Sequence, residues 1–259
     1  MLQFDEETSA QVEASYLTPD VLEQRRVVVE MVAPQPAEDV LDIGSGPGLL
    51  ACDLAAAVAG GGSVTGVDPS ASMLALSARR EPGPGAAPVS FVEAGALELP
   101  FADESFDIAV STQVYEYIEE IEAALAEAHR VLRPGGRLLV LDTDWDSVVW
   151  HSSDAERMRR VMAVWDEHLA DPGLPRRLTG LLKGAGFALE DRTVLPILNA
   201  GFDPRTYSGG LIGFVSGFVA GRQEISDEEA AAWADDLTGM DEDYFFSINR
   251  YLFLARKAN

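Results

Sequence analysis

The sequence predicts an α/β fold: a doubly wound, mostly parallel sheet of seven strands, with a helical lead-in before it and an inserted cap near its end. Three observations carry this expectation. Between Asp39 and Asp142 short apolar runs alternate with helical patterns through short connections, the signature of parallel strands covered on both faces. The runs Val40 to Ile43, Ser63 to Val67, Val89 to Val92, Phe106 to Val110 and Arg137 to Leu141 are the first five strands. Beyond Asp142 the rhythm changes, and the last two strands, Phe187 to Leu195 and Tyr244 to Leu254, stand apart with a long insertion over residues 199–242 between them.

Residues 1–36 form the lead-in. Thr18 reads as an N-cap with Pro19 at the first helical position, and Val21, Leu22, Val28, Val29 and Val32 give that helix an apolar face. Gly60-Gly61-Gly62 turns the chain into the second strand. Ser70 opens a helix carrying Met73, Leu74 and Leu76, and residues 81–88 form a proline- and glycine-rich loop. Val114 to Leu132 reads as one helix, closed by the stop-and-turn Arg133-Pro134-Gly135-Gly136. Residues 143–186 read as irregular chain with helices near Met158–His168 and Arg176–Ala185. In the insertion, Ser226 and Glu229 have capping-box spacing. With no repeat and no linker, residues 1–259 are expected to form one domain.

Composition narrows the class. The 259 residues carry 47% apolar and 24% charged side chains, ordinary for a soluble protein with one core. No apolar run reaches the roughly 20 residues of a membrane span, and the opening MLQFDEETSA lacks the pattern of a signal peptide. A cytoplasmic protein, monomer or homodimer, is the expectation. The single Cys52 rules out an intramolecular disulfide and is expected to be a small buried residue. Acidic residues outnumber basic ones 43 to 19, for a formal charge of −24, and such a surface repels nucleic acid.

The chemistry centres on Asp42-Ile43-Gly44-Ser45-Gly46-Pro47-Gly48. A strand, a glycine turn and a helix let backbone approach a ligand closely. The glycines fall at every second position, so the third comes one residue early for the dinucleotide fingerprint, and no lysine follows to make a P-loop. Asp42 before the first glycine suits a cationic ligand. Asp68, closing the second strand, stands where a carboxylate accepts ribose hydroxyls. Together with Gly95-Ala96-Leu97-Glu98-Leu99-Pro100-Phe101 through Phe106-Asp107 and with Leu132-Arg133-Pro134-Gly135-Gly136, this turn resembles class I methyltransferases that use S-adenosylmethionine (SAM), of the ubiquinone and menaquinone biosynthesis type.

The resemblance covers about residues 38–142, and it implies a Rossmann-like fold and SAM as cofactor, released as S-adenosylhomocysteine (SAH). It implies that Gly44, Gly46 and Gly48 line the cofactor, that Asp68 binds its ribose, and that Met73 packs on adenine. Gly95 stands where the family commonly has an aspartate facing the adenine amino group. Backbone of Ala96 and Leu97 remains to make that contact, with Glu93 or Glu98 as substitutes. Ser111 and Tyr115, after the fourth strand, fall at the carboxyl end of the sheet, where the ligand crevice of open α/β sheets lies.

The acceptor side is less specified. Tyr115, Asp144 and His151 are expected at the acceptor, with His168 as a second candidate base; His129 reads as packed or surface. Tyr16 or Arg26 could reach the site from the lead-in. The alternating acids Asp142, Asp144 and Asp146 lack the glycine and distal glutamate of a calcium loop, and no metal is expected. Aromatic residues of the expected cap suggest a small, partly apolar organic acceptor, and the lone cysteine argues against arsenite-methylating relatives. A SAM-binding protein without catalysis and an NAD-dependent oxidoreductase are the alternatives.

Overall fold

The computed structural model describes residues 13–258. The sequence expectation for the opening MLQFDEETSA lies outside them.

A seven-stranded sheet forms the centre. Its strands are β1 (Asp39–Ile43), β2 (Ser63–Asp68), β3 (Val89–Glu93), β4 (Phe106–Thr112), β5 (Leu132–Trp150), β6 (Phe187–Ala200) and β7 (Phe245–Lys257), in the order β3-β2-β1-β4-β5-β7-β6. The first five strands run parallel, whereas β7 is antiparallel to both neighbours. The order reverses at β1, so the crevice above the ends of β1 and β4 is the topological switch point where ligands of such sheets bind.

Period-two alternation divides the strands between two cores. Val40, Ile108, Leu139 and Leu141 face Val28 and Val32 of α1 (Pro19–Val32) and Leu50 and Leu54 of α2 (Leu49–Ala57). Leu41, Ile43, Ala109, Leu138 and Val140 face Leu125 and Ala128 of α4 (Ile121–Val131) and Leu178 and Leu182 of α6 (Pro175–Gly184). Between β2 and β3 lies the short α3 (Ala71–Ser77), started by Ser70, whose hydroxyl accepts from Met73 N–H (3.3 Å).

A third core lies beyond the sheet ends. It joins Trp150 and Phe246 to Trp165 of α5 (Ala155–Trp165), to Val215 of α7 (Tyr207–Val219) and to Trp233 of α8 (Asp227–Thr238). Truncating a buried tryptophan such as Trp233 to alanine costs about 3–5 kcal/mol. Helices α7 and α8 fill the insertion between β6 and β7. The insertion is tied back to α1 by Asp20, whose carboxylate accepts from Tyr207 N–H (2.8 Å) and from the Asn199 amide (3.3 Å).

Several local expectations need correction. The segment expected to be one helix from Val114 to Leu132 is a 3-10 turn, Tyr115–Tyr117, then a break and α4. Asp142 ties down the start of the turn, its carboxylate accepting from Val114 N–H (3.1 Å), and the break follows at Ile118, whose backbone is extended. β5 does not stop at Leu141 but runs to Trp150, its pairing with β7 interrupted between Asp144 and Val149. The Arg133–Gly136 stretch is a bulge within β5, opposite the register shift between Phe106 and Ile108. Thr18 makes no side-chain cap to α1, its hydroxyl donating back to Ser15 C=O (2.7 Å). In α8 the Ser226 hydroxyl does accept from Glu229 N–H (3.2 Å), while the Glu229 carboxylate turns to Arg160 instead of closing the box. Cys52 is half-buried rather than buried, on the side of α2 next to exposed Asp53.

Candidate active site

The glycine turn after β1 is held by two amides, Gly44 N–H and Ser45 N–H, that donate to Val67 C=O (2.8 and 2.9 Å) at the end of β2. Gly44, Gly46 and Gly48 all have positive φ (70°, 50° and 77°), a region in which only glycine is unstrained. Their surroundings differ. A Cβ on Gly48 would sit 2.6 Å from the Phe91 ring, so this glycine serves the close approach of α2 to the sheet. A Cβ on Gly46 would meet only the Tyr16 ring, at 3.6 Å, across an open cavity.

That cavity has a volume of about 450 Å³, within the range of ligand sites. Gly44, Gly46, Asp68, Met73 and the Gly95-Ala96-Leu97 segment line one side of it. Asp68 is only 8% exposed. Its carboxylate accepts from Gly46 N–H (2.9 Å) and Ser70 N–H (2.8 Å), which fixes both oxygens and leaves each a free lone pair toward the cavity. Burial raises its pKa, and those two amides pull it back down. Gly95 has nothing within 4 Å of a built Cβ, so this position is open. Glu93 and Glu98 are exposed and do not line the cavity.

The other side is aromatic: Tyr16, Tyr117, Trp145, Trp165, Tyr207 and Phe214 line it. Behind this wall is buried Glu116. Its carboxylate accepts from Thr143 N–H (2.9 Å) and Trp145 Nε1–H (3.4 Å), and burial pushes its pKa up to about 7. It thereby fixes the indole of Trp145. His168 also lies behind the wall, stacked on Trp165 and edge-on to Trp145 and Phe218. Its Nδ1 faces Trp165 C=O, and burial lowers its pKa to about 4, so it is a neutral packing group at pH 7.

The expected acceptor-side residues fall elsewhere. Tyr115 is fully buried in the sheet core and does not line the cavity, because the 3-10 turn aims Tyr117 there instead. Asp144 is clamped by the Arg176 guanidinium (2.7 and 2.9 Å), and that arginine also takes Asp146 (2.7 Å). His151 is exposed beyond the end of β5, its N–H bonded to Phe245 C=O (2.9 Å). Ser111 is buried within β4 and does not line the cavity either. Arg26 is an exposed side chain paired with Glu23 and Glu30. His129 packs edge-on against Phe187. Among the described residues no group of three potential ligands is arranged to hold a metal.

Sequence reasoning missed Arg250. It lines the cavity from β7, is 2% exposed, and lies over the Tyr207 ring at 4.3 Å. A signal was present. Phe246, Ile248, Arg250 and Leu252 occupy the buried face of β7 at period two, and an arginine in such a row is out of place unless it has work there.

The residues present fit SAM. Asp68 offers two oriented carboxylate acceptors for a diol, Met73 and Ala96 give an apolar slot for a purine, and the Gly44–Gly46 backbone leaves room between them. Electron-rich ring faces on the opposite side suit a sulfonium cation.

Comparison with known proteins agrees. The "Methyltransferase domain" family model matches residues 41–140. A 37.1 kDa protein in transposon TN4556 of Streptomyces fradiae is 36% identical over 198 residues, 74% of this chain and 56% of its own length. The ubiquinone/menaquinone biosynthesis C-methyltransferase UbiE of Brucella anthropi is 31% identical over 205 residues, 74% of this chain and 75% of its own. Thus the chain spans just over half the length of the first relative and three quarters of the second. In fold it is similar to phosphoethanolamine N-methyltransferase 2 of Haemonchus contortus, solved with phosphomonomethylethanolamine and SAH. The TM-score is 0.63 at 21% identity, over 99% of this chain and 58% of that one. Glycine turn, oriented Asp68 carboxylate and switch-point cavity thus agree with sequence kinship: the chain belongs to the SAM-dependent methyltransferases of the ubiquinone/menaquinone biosynthesis type.

Proposed function

We propose that this protein transfers the methyl group of SAM to a small, largely apolar aromatic acceptor of the quinol class. One observation carries the reading: the cofactor residues and an aromatic wall share a single cavity of about 450 Å³. The names of relatives that act on ubiquinone and menaquinone precursors support the acceptor class. In this reading residues 38–142 hold the cofactor, residues 143–259 supply most of the acceptor side, and the insertion at 199–242 roofs it, all within one domain.

SAM supplies a methyl already activated on a sulfonium. An acceptor electron pair attacks that carbon in line, the carbon–sulfur bond breaks, and its pair stays on a neutral thioether. The protein's part is to hold nucleophile and methyl in line and to keep water out. The cavity is poor in bases. Among its described lining residues the ionisable ones are Asp68, Arg250 and the phenols of Tyr16, Tyr117 and Tyr207. Burial pushes Tyr16 up to about 12 and raises Tyr117 and Tyr207, so none takes a proton near neutrality. The acceptor therefore brings its own nucleophilic pair, and its proton leaves to water after transfer. Asp68 orients the cofactor, and Tyr117, Trp145 and Phe214 orient the acceptor ring.

Incubation with SAM and a panel of reduced benzo- and naphthoquinones lacking one ring methyl tests this. The expected result is SAH formation together with a product heavier by one CH2. Protein that binds SAH but forms it no faster with any quinol than without would overturn the acceptor class.

A further inference from the structure

A small recess of about 50 Å³ opens off the cavity where the glycine turn meets β7. Asp42, Ser45, Gln24, Gln113 and Arg250 line it, and it shares Tyr16, Gly44 and Arg250 with the main cavity. Arg25 lines it too, but is taken up by the Asp53 carboxylate (2.7 Å) and Tyr16 C=O (2.8 Å), whereas Asp42 and Arg250 do not pair with each other. Asp42 is 1% exposed, and its Oδ2 has no partner among the described residues. Arg250 donates from one terminal nitrogen to the Gln24 amide oxygen, yet its Nε likewise has no partner among them.

A buried guanidinium or carboxylate left uncompensated is costly. Arg250 is partly compensated by Gln24, the Tyr207 ring and the charge of Glu116, yet its Nε and Asp42 Oδ2, both without a partner among the described residues, fit a ligand that brings both complementary charges a few bonds apart. An α-amino acid zwitterion does so. The order of strands sets the position. Ala96 and Leu97 follow β3, Met73 and Asp68 follow or end β2, Gly44 follows β1, and Arg250 on β7 lies opposite Thr143 of β5. These groups therefore succeed one another along the sheet edge as apolar slot, diol acceptor, backbone turn and the Asp42 and Arg250 groups of the recess. SAM has the same order of parts: adenine, ribose, sulfonium, amino-acid end.

Resting on the methyltransferase reading above, we propose that Arg250 anchors the α-carboxylate of the cofactor, with Asp42 receiving its ammonium group. The recess is thus the amino-acid subsite of the cofactor, and the anchor comes from the antiparallel strand, outside the segment that carries the family motifs. Arg250 is then a binding residue that sets how far along the crevice the sulfonium lies, facing the aromatic wall.

Calorimetric titration with two probes tests this: SAH, and the analogue lacking only its carboxylate. Wild-type protein is expected to prefer SAH by about 30-fold, the worth of a charged hydrogen bond. In Arg250→Met that preference should fall to within about threefold, because SAH weakens while the analogue keeps its wild-type affinity. Arg250→Lys, which keeps the charge and loses the fork, should retain part of the preference; it also serves as the reading if the methionine variant does not fold. Full wild-type preference in either variant overturns the assignment. Wild-type protein that binds the analogue and SAH equally overturns it too, while leaving the methyltransferase reading intact. Failure of wild-type protein to bind either probe overturns both.

Discussion

At one end of the cavity a ligand meets fixed polar groups: the Asp68 carboxylate, locked by two amides, and the backbone of the Gly44–Gly46 turn. At the other it meets side-chain faces, with Tyr16, Tyr117, Trp145, Trp165, Tyr207 and Phe214 converging from segments scattered through the chain. Directional groups on consecutive βα turns bind one molecule of fixed shape. Rings held by packing bind by area and tolerate variation in outline. The first end is therefore rigid and selective, and in the proposed reading the second sets acceptor preference through shape. Substitutions at the two ends should separate cofactor affinity from turnover.

The largest expected effect is at the polar end. Asp68→Ala removes two oriented acceptors and also releases the Gly46 amide that shapes the turn. Charged hydrogen bonds contribute about 1.5–3 kcal/mol each, so SAH affinity should fall by about 100-fold or more. Asp103→Ala is the control: this exposed carboxylate pairs with Arg130 at the surface, and its loss should leave the affinity within about twofold. Calorimetry on both variants checks the contrast, and equal effects would remove Asp68 from the site.

Asp42 sharpens the same end through pH. Burial, then the nearby Asp68 charge, push its carboxyl up to about 7, against about 4 in an unfolded chain. Between those values the native state holds a proton that the unfolded chain has released. This contribution to stability is therefore full below about pH 4, falls as pH rises to 7, and is level above. Asp42→Asn should raise the unfolding free energy of ligand-free protein by about 4 kcal/mol at pH 8 and by almost nothing at pH 4. His168 acts in the opposite sense: its pKa is depressed to about 4, so stability is lost as pH falls from about 6.5 toward 4. Taking the difference between variant and wild type in urea melts cancels the histidine. A gain equal at both pH values would show that Asp42 is ionised in the native state.

The contrast between the ends also explains what the sequence could reveal. Asp42, Gly44, Gly46, Asp68 and Ala96 sit on short strand–turn–helix units, where residue type and spacing dictate position, so the polar end was legible from one segment. The doubly wound sheet was legible for the same reason, since each strand is a continuous apolar run. The aromatic end depends on how distant segments meet. Tyr117 and not Tyr115 faces the cavity from a 3-10 turn that Asp142 ties down at Val114 N–H, a long-range contact invisible to helical periodicity. β5 continues to Trp150 because β7 pairs with both its ends, and Trp145 reaches the site from the interruption between them, held by Pro172 C=O and Glu116. Tryptophans and phenylalanines in a row look alike whether they fill a core or line a cavity, and here Trp165 and Tyr207 do both. Arg250 alone carried a readable anomaly.

At the aromatic end the expected effect is smaller and falls on the acceptor. Phe214 is half-buried and lines the cavity from α7. Phe214→Ala removes one face of the wall without touching the Asp68 end. KM for the quinol should rise about 10-fold, equivalent to about 1.4 kcal/mol of lost contact, with SAH affinity unchanged. Steady-state kinetics alongside SAH titration reads both quantities. If SAH weakens as much as the quinol, the two ends are not separate and the contrast fails.

The smallest expected effect is at a residue whose chemistry made it attractive. His151 is an imidazole placed by sequence just past the fifth strand, where a general base for the acceptor would stand. In the structure the strand runs on to Trp150 and carries His151 past the crevice into solvent, with its backbone tied to Phe245. A base must come within hydrogen-bond reach of the proton it takes, and His151 does not line the cavity. His151→Ala should therefore leave kcat, KM and SAH affinity within about twofold, equivalent to ~0.4 kcal/mol. The pH dependence of kcat/KM should be superimposable on that of wild type. A profile that departs from wild type would show that this side chain folds back over the acceptor. The cavity would then hold the base that its lining residues do not supply.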